Sequence, residues 1–519
     1  MAIVPVALLF WNVQARTRGA DFRALSGDWM RAWDDVAIAA GFAAYRDFPV
    51  APYLATNSFS RKGQAAYTNF QDTFDGLERS YGTSLSRPWQ GFPSSELFPR
   101  RPRVAQRFDD LGRAYLLGWG FRALGQTSPG LIFWIAPLLA SLVMVWIVLE
   151  SARAGRVVFG FCFCALVSVS AFCRDVLMLG YSAAGFYVVA LLLASAYAAG
   201  VLNRRTSLRG LLLRSTAAGV CLAVTVNARS VSIVVVPVIV AAALRCVARL
   251  PRSVGQRAGG VVLTLALLLA PTSLLRSHLA AAAGDAVARF GGEHVPAFHD
   301  VWITYWQGLG DFDRTHGHVF LDQEGYAAVR AHGGGERLSE KSENIMKGLV
   351  IDSIRSEPSW YAGILAQRAL ATVTFRKIWP MASNGAPGFA PSTTSNEGAM
   401  DSYWGMTAQA DTFAVGGTEV EIPAMVFPAV LGLFLAAAAR RSSTLTSDRD
   451  PRGLLVLVGW LALACLPAPI LTTTAGGFEP QAFGLVVFAA TAGLLQMTVW
   501  KLCVRARNGR VAAPPPAAR

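Results

Sequence analysis

Charge is scarce in this sequence. Only 15% of its 519 residues are Asp, Glu, Lys or Arg, while 53% are apolar; an ordinary soluble domain is about a quarter charged. That scarcity excludes a water-bathed globule of the usual kind. Lysine is scarcer still, supplying five of the 47 basic residues, which together with abundant Ala and Gly suggests a GC-rich bacterial source. Cysteine is missing from the interior of the two longest polar stretches: the seven Cys, at 162, 164, 173, 221, 246, 465 and 503, lie in or beside apolar runs or in the tail. No disulfide framework is implied, and Cys162 and Cys164, two apart on a helix, point to different faces and read as packing residues. Absent too are a P-loop, a nucleophile elbow, an HExxH pair and a dinucleotide glycine fingerprint.

What charge there is falls in a pattern. Five short segments hold the clustered arginines: Arg153 and Arg156; Arg204, Arg205, Arg209 and Arg214; Arg245, Arg249, Arg252 and Arg257; Arg440, Arg441, Arg449 and Arg452; and the tail from Lys501 to Arg519. These segments hold more than the whole net charge of +14, so the rest of the chain is slightly acidic. They alternate along the sequence with segments of little net charge, which is the positive-inside pattern of a multi-span membrane protein. The basicity is therefore a topology signal matched to anionic lipid headgroups, and no nucleic-acid partner is implied.

A hydrocarbon core needs about 20 apolar residues per helix. The runs 131–149, 157–175, 183–202, 210–226, 231–247, 259–275, 424–439, 453–471 and 482–500 qualify as spans. Residues 1–15 are apolar but short and lack the basic start and cleavage site of a signal peptide, so they read as a first helix trimmed at its start. The fold class is thus an all-α polytopic membrane protein of about ten transmembrane helices, with both termini cytoplasmic in a bacterial inner membrane. Its parts are a first helix (1–15), a first outer loop with amphipathic helices (16–130), a transmembrane bundle (131–276), a second outer loop (277–423), C-terminal transmembrane helices (424–500) and a basic cytoplasmic tail (501–519). In the first loop Trp29, Trp33, Val36, Ala37 and Ala40 recur at helical spacing, and the tryptophans suit a membrane interface. Neither loop shows the regular alternation of a β domain. His278 to Arg289 continues the preceding helix outward, and Asn344 to Phe375 is helical in pattern.

Both long loops fall on the face opposite the arginines, where the chemistry-bearing residues gather. Asp28, Asp34 and Asp35 follow the first span, and Asp175 follows Arg174 at the turn between the third and fourth. Carboxylates beside low-dielectric lipid have raised pKa values and serve as general bases, or else simply cap helices. Arg174 and Arg229 stand in short outer loops where positive charge is disfavoured, so each calls for a partner: a neighbouring acid or a phosphate. Arg276, Arg368, Arg376 and Lys377 lie near the membrane ends of the second loop. All six His lie in that loop too, and Asp311, Asp313, His316 and His318 could collect a divalent cation, although the spacing matches no metal motif. Trp306 offers a substrate-binding ring, and Glu479 is the lone charge before the last span. No cytoplasmic segment is long enough to fold around ATP or a nucleotide sugar, so synthesis on the outer face must draw on a pre-activated substrate.

Three features resemble the GT-C superfamily of membrane glycosyltransferases, whose protein O-mannosyltransferases and lipid A aminoarabinose transferases use polyprenyl-phosphate-linked sugars. They are the architecture of two outer loops around a compact bundle; the segment Phe108-Asp109-Asp110-Leu111-Gly112-Arg113 running to Phe121-Arg122-Ala123-Leu124-Gly125; and Trp302-Ile303-Thr304-Tyr305-Trp306-Gln307-Gly308 with the downstream Glu357-Pro358-Ser359-Trp360-Tyr361. The resemblance implies a polyprenyl-phosphate-sugar donor, a glycan, glycolipid or protein acceptor, and an acid early in the first loop that activates the acceptor. Asp28 and Asp175 stand at the places of the superfamily's two site acids. The usual acidic pair near the first span is not reproduced, since Trp29 follows Asp28; the nearest adjacent pair is Asp34-Asp35. Arg229, with Arg174 or Lys377, would meet the leaving phosphate. The rival expectations are an O-antigen polymerase or ligase, against which the large first loop argues, and a transporter of lipid-linked glycans, against which the nearly charge-free spans argue.

Overall fold

The computed structural model describes residues 2–18, 35–36, 39, 43, 111–126, 128–178, 183–202, 206–250, 253–290, 301–310, 316, 318, 322–334, 339–373, 412–415, 418–421, 426–441, 451–471 and 480–511. The chain runs α1 (Ile3–Thr17), α2 (Gly112–Leu124), α3 (Ile132–Arg153), α4 (Val157–Val169), α5 (Ala171–Met178), α6 (Ala184–Val201) and α7 (Leu208–Ala228). A 3₁₀ turn (Ser230–Val235) leads to α8 (Val236–Ala248) and α9 (Val254–Phe290). Then come α10 (Val301–Leu309), α11 (Asp322–Ala331), α12 (Glu340–Ser356), α13 (Pro358–Val373), β1 (Thr412–Val415) and β2 (Thr418–Glu421). The chain closes with α14 (Val426–Arg441), α15 (Pro451–Cys465), α16 (Pro467–Leu471), a turn (Pro480–Phe483) and α17 (Gly484–Val511).

Among the described residues six helical segments are long and apolar enough to cross a membrane: Pro129–Arg153, Ala184–Val201, Leu208–Ala228, Ser230–Ala248, Val254–Ala281 and Gly484–Cys503. Val157–Val169 and Gly453–Cys465 are apolar but shorter. The molecule is thus a helical membrane protein, with six such segments where the hydropathy alone suggests about ten. The axis of the bundle is α6, hydrophobic all round and 94% buried over its length, which is what a helix without a polar face must be. It packs on α3, α7, α8, α15 and α5. At the rim, α9 buries only 17% of its apolar window and turns Val262, Leu269 and Leu274 outward. Its 37 residues span about 55 Å, well beyond a hydrocarbon core of about 30 Å, so the helix continues past the bilayer as the sequence suggests. Where α9 crosses α7, Gly219 faces the Leu267 carbonyl with no room for a Cβ, the small-residue contact by which membrane helices approach.

The two ends of the bundle differ. At one end the buried Glu150 of α3 accepts from Arg214 of α7 through Nε (3.0 Å) and Nη2 (2.7 Å) and from Arg153 (2.7 Å). Arg156 reaches the Gly453 carbonyl at the start of α15. Arg153, Arg156 and Arg214 thus gather at this end, beside the start of α15.

At the opposite end two hydropathy-defined spans are broken. The run 157–175 stops at Ser170, whose extended ψ of 118° ends α4. Hydropathy is blind to this break because the apolar character is continuous across it. The cause lies in hydroxyl chemistry: Ser168 donates to the Cys164 and Pro5 carbonyls, and the Ser170 hydroxyl accepts from the Cys173 N–H and caps α5. Broken backbone at membrane depth survives only where protein satisfies it, and here β1 does so, pairing Ser170 with Phe413. The run 453–471 is likewise split into α15 and α16, with Pro467 opening the second piece.

The hairpin is the departure from all-helical expectation. β1 and β2 pair antiparallel with Val415 opposite Thr418. Asn12 of α1 ties it to the bundle, its amide donating to the Ser168 carbonyl (2.9 Å) and the Ala414 carbonyl (2.7 Å). Asn12→Leu removes both bonds from a site that is 1% exposed and strands two carbonyls, at a cost of about 2–3 kcal/mol. Limited proteolysis across 412–421 should show the hairpin released before the helices open.

Candidate functional site

The end opposite the arginine cluster is organised around the start of α6. α5 lies against it so closely that a Cβ on Gly185 would meet the Val176 carbonyl and the Leu177 Cα at 2.8–2.9 Å. On α5 the Arg174 Nε donates to Asp175 at 2.6 Å, the two side chains 3% and 10% exposed. The 230–235 turn, which follows Arg229, also packs on α6. Arg229 ends α7, its N–H donating to the Thr225 carbonyl at 2.9 Å and its carbonyl accepting from Ser232. A cation there also meets the negative end of the helix dipole.

The second ion pair joins the first loop to this end. Arg113 of α2 donates through Nε to the Asp35 carboxylate at 2.5 Å, with Nη2 in ion-pair contact with the same oxygen and both side chains nearly inaccessible. α2 sits on the C-terminal end of α7 because Gly112 presses on the Asn227–Ala228 backbone with no space for a Cβ, so Arg113 and Arg229 stand on abutting elements. Around Asp35, Val36, Ala39 and Ala43 are buried, at the spacing of one helical face. Val36 belongs to the stripe expected from the sequence; the remainder of that stripe lies outside the described residues.

Of the residues singled out in the sequence, Asp35, Arg174, Asp175 and Arg229 are thus placed at one end of the bundle. Asp28, Asp34, Asp311, Asp313, Arg376, Lys377 and Glu479 lie outside the described residues. Trp306 belongs to a separate helical module. There α10, α11, α12 and α13 close over Ile303, Tyr326, Val329 and Met346 on one side and Leu309, Val350 and Ile364 on the other. Arg368 of α13, 1% exposed, donates to the Ile470 carbonyl of α16 at 3.1 Å and moors the module to the bundle, and α16 in turn touches the 230–235 turn. Arg276 is exposed. All seven cysteines are free thiols. Among the described residues no three His, Cys, Asp or Glu gather as for a metal; His316 instead pairs with Glu357 at 3.0 Å.

Sequence reasoning missed Arg113 and Asn12. The signal for Arg113 is that it and Arg122 are the two charges of an otherwise apolar helical run, and a charge so placed requires a partner; nothing local marks Asn12. For His318, named from the sequence only as a possible cation ligand, it missed the burial: the residue is 3% exposed, and its ring lies between Trp306 and Trp360. Burial, and secondarily the neighbouring His316, hold its pKa down to about 4 from 6.5. The unfolded chain therefore takes up this proton first as pH falls. The module keeps full stability above pH 6.5, loses about 3 kcal/mol between 6.5 and 4, and is flat below. Hydrogen exchange over α10–α13 from pH 7.5 to 4 should show that loss, and His318→Phe should abolish it.

No protein-family model matches the chain, and no curated protein does. Among solved structures it is similar to the archaeal oligosaccharyltransferase AglB from Archaeoglobus fulgidus in complex with an inhibitory peptide and a dolichol-phosphate, at a TM-score of 0.45 and 13% identity. It is also similar to the apo form of the Archaeoglobus fulgidus oligosaccharyltransferase, at a TM-score of 0.43 and 13% identity. All of this chain is covered in both, against 52% and 53% of theirs, so it spans about half the length of either.

Proposed function

We propose that this protein is an integral membrane glycosyltransferase that moves a sugar from a polyprenyl-phosphate donor to an acceptor at the end of the bundle opposite the arginine cluster. The observation that carries the proposal is the gathering at one end of the bundle of Arg174–Asp175 beside the start of α6 and of Asp35–Arg113 and Arg229 at the C-terminal end of α7. Buried ionic groups at a membrane boundary are costly, and a fold that concentrates them at one place uses them there. The GT-C resemblance read from the sequence supplies the reaction class. The arginine end faces the cytoplasm of a bacterial inner membrane, leaving the site periplasmic.

In the reaction, an acid of the first loop, Asp28 or Asp34, takes the proton of an acceptor hydroxyl as its oxygen bonds to the anomeric carbon. The bond from that carbon to the polyprenyl phosphate breaks with inversion, and the phosphate keeps the electron pair. Arg229, with Arg174 and Lys377, balances its growing charge, since preorganised positive charge at a leaving group is usually the largest catalytic term. Asp35 positions the first loop through Arg113, and Asp175 orients Arg174. Glu479, Asp311 and Asp313, candidates from the sequence alone, are assigned to sugar binding in this proposal.

The test is transfer in proteoliposomes loaded with radiolabelled polyprenyl-phosphate sugars, with membrane extract as acceptor. Label should pass to a new product, and Arg229→Gln should slow it by about two orders of magnitude. No transfer from any donor by folded wild-type protein sinks the reading in favour of transport or binding of lipid-linked glycans.

A further inference from the structure

In the α10–α13 module three aromatic nitrogens are buried without a hydrogen-bond partner: Trp306 Nε1, His318 Nδ1 and Trp360 Nε1. They belong to one ring cluster. His318 meets Trp306 edge to face with centroids 4.2 Å apart, and stacks at 5.9 Å on Trp360. His316 lies flat on Trp360 at 4.1 Å. Buried donors and acceptors left unmade are costly, and each calls for an explanation. An N–H over a ring face can satisfy one of the three through the edge-to-face contact; two remain.

The cluster's composition says what would satisfy them. Two indole N–H groups only donate, while a neutral imidazole donates from one nitrogen and accepts at the other. A ligand matching both needs hydroxyl groups, and the surrounding ring faces need C–H bonds to lie on them. An anion would satisfy the indoles, but among the described residues the charged group at this cluster is the Glu357 carboxylate, which repels one. Entry runs past His316 and Glu357, which are 28% and 54% exposed and themselves offer hydrogen bonds to hydroxyls.

We infer that Trp306, His318 and Trp360 form a binding site for a neutral sugar ring, entered beside the His316–Glu357 pair. The inference rests on the transferase reading for the source of that sugar, either the headgroup of the lipid-linked donor or a residue of the acceptor glycan. The site's chemistry stands on the ring cluster alone.

The experiment uses the full chain in lipid nanodiscs, with methyl pyranosides (mannoside, glucoside and galactoside) as probes and saturation-transfer NMR as readout. At least one should bind the wild type. Trp306→Phe, Trp360→Phe and His318→Phe each keep a ring while removing the nitrogens, so each should weaken binding by about tenfold with an unchanged or raised melting temperature. A merely structural cluster would show no glycoside binding, or the same binding in all three variants, and either result overturns the site. Displacement of the glycoside by a polyprenyl-phosphate sugar identifies the donor headgroup; retention alongside loaded donor identifies the acceptor. Transfer without glycoside binding sinks this site and leaves the transferase standing. Binding without transfer does the reverse.

Discussion

Glu150→Ala should lower stability by about 3–5 kcal/mol, the scale on which breaking a buried ion pair leaves a charge stranded. The carboxylate is 1% exposed and takes three arginine N–H bonds, two of them the fork of Arg214. Nothing else can move in to replace it. The facing Gly200 has the Arg214 Nε at 2.6 Å from where a Cβ would stand, and one turn earlier Tyr197 bonds Ser215 at 2.8 Å, so α3, α6 and α7 are locked at this level. The loss belongs to the unpaired arginine rather than to the missing attraction. Glu150→Met with Arg214→Met should therefore recover most of the stability. Arg153→Ala, at a partner 62% exposed, should cost under about 1 kcal/mol. Thermal unfolding of all three in one detergent checks the ordering, and a double variant as unstable as Glu150→Ala would show that the clasp itself holds the helices.

That clasp was half legible in the sequence. The alternation of arginine segments puts the ends of α3, α7 and α15 on one side, because charge near lipid must collect at one face; Glu150 is then an acid at the end of an apolar span, beside arginines, and must be paired. What hydropathy could not show is where a continuous apolar run breaks, since the Ser168 and Ser170 hydroxyls that end α4 and start α5 contribute little to a sliding average. The hairpin did leave a mark that reading for regular alternation overlooked: Gly416-Gly417 between Thr-Phe-Ala-Val and Thr-Glu-Val-Glu is a two-residue hairpin connection. Asn12 left none. Its partner Ala414 lies 402 residues away, and no local pattern encodes a contact of that range. Of the candidate site, the charges were readable as exceptions to the positive-inside rule, and a neighbouring acid as the partner of Arg174 with them, but the pairing of Arg113 with Asp35 was not. Arg113 is separated from Asp35 by 78 residues, and Asp35 stands beside an identical neighbour.

Those neighbours should part company on substitution. Under the proposed reaction Asp34→Asn should cost about 10²–10⁴ in transfer rate, the usual worth of a positioned base, with no change in melting temperature, provided that Asp34 and not Asp28 is the base. Asp28→Asn, assayed alongside, decides between the two. Asp35→Asn should behave in the opposite way. Its carboxylate is committed to the buried Arg113, so taking an acceptor's proton would break the pair that holds the first loop on α2, and the amide leaves a guanidinium with half its partner. Stability should fall by about 3–5 kcal/mol, and activity per folded molecule should survive at low temperature. Arg113→Met with Asp35→Leu should regain stability, because the pair would be replaced by apolar side chains in a site already lined by Val36, Ala39 and Ala43. If instead Asp35→Asn melts like wild type and transfers nothing, then Asp35 is the base, Arg113 is the group that orients it, and the catalytic centre lies at the α2–α7 junction itself.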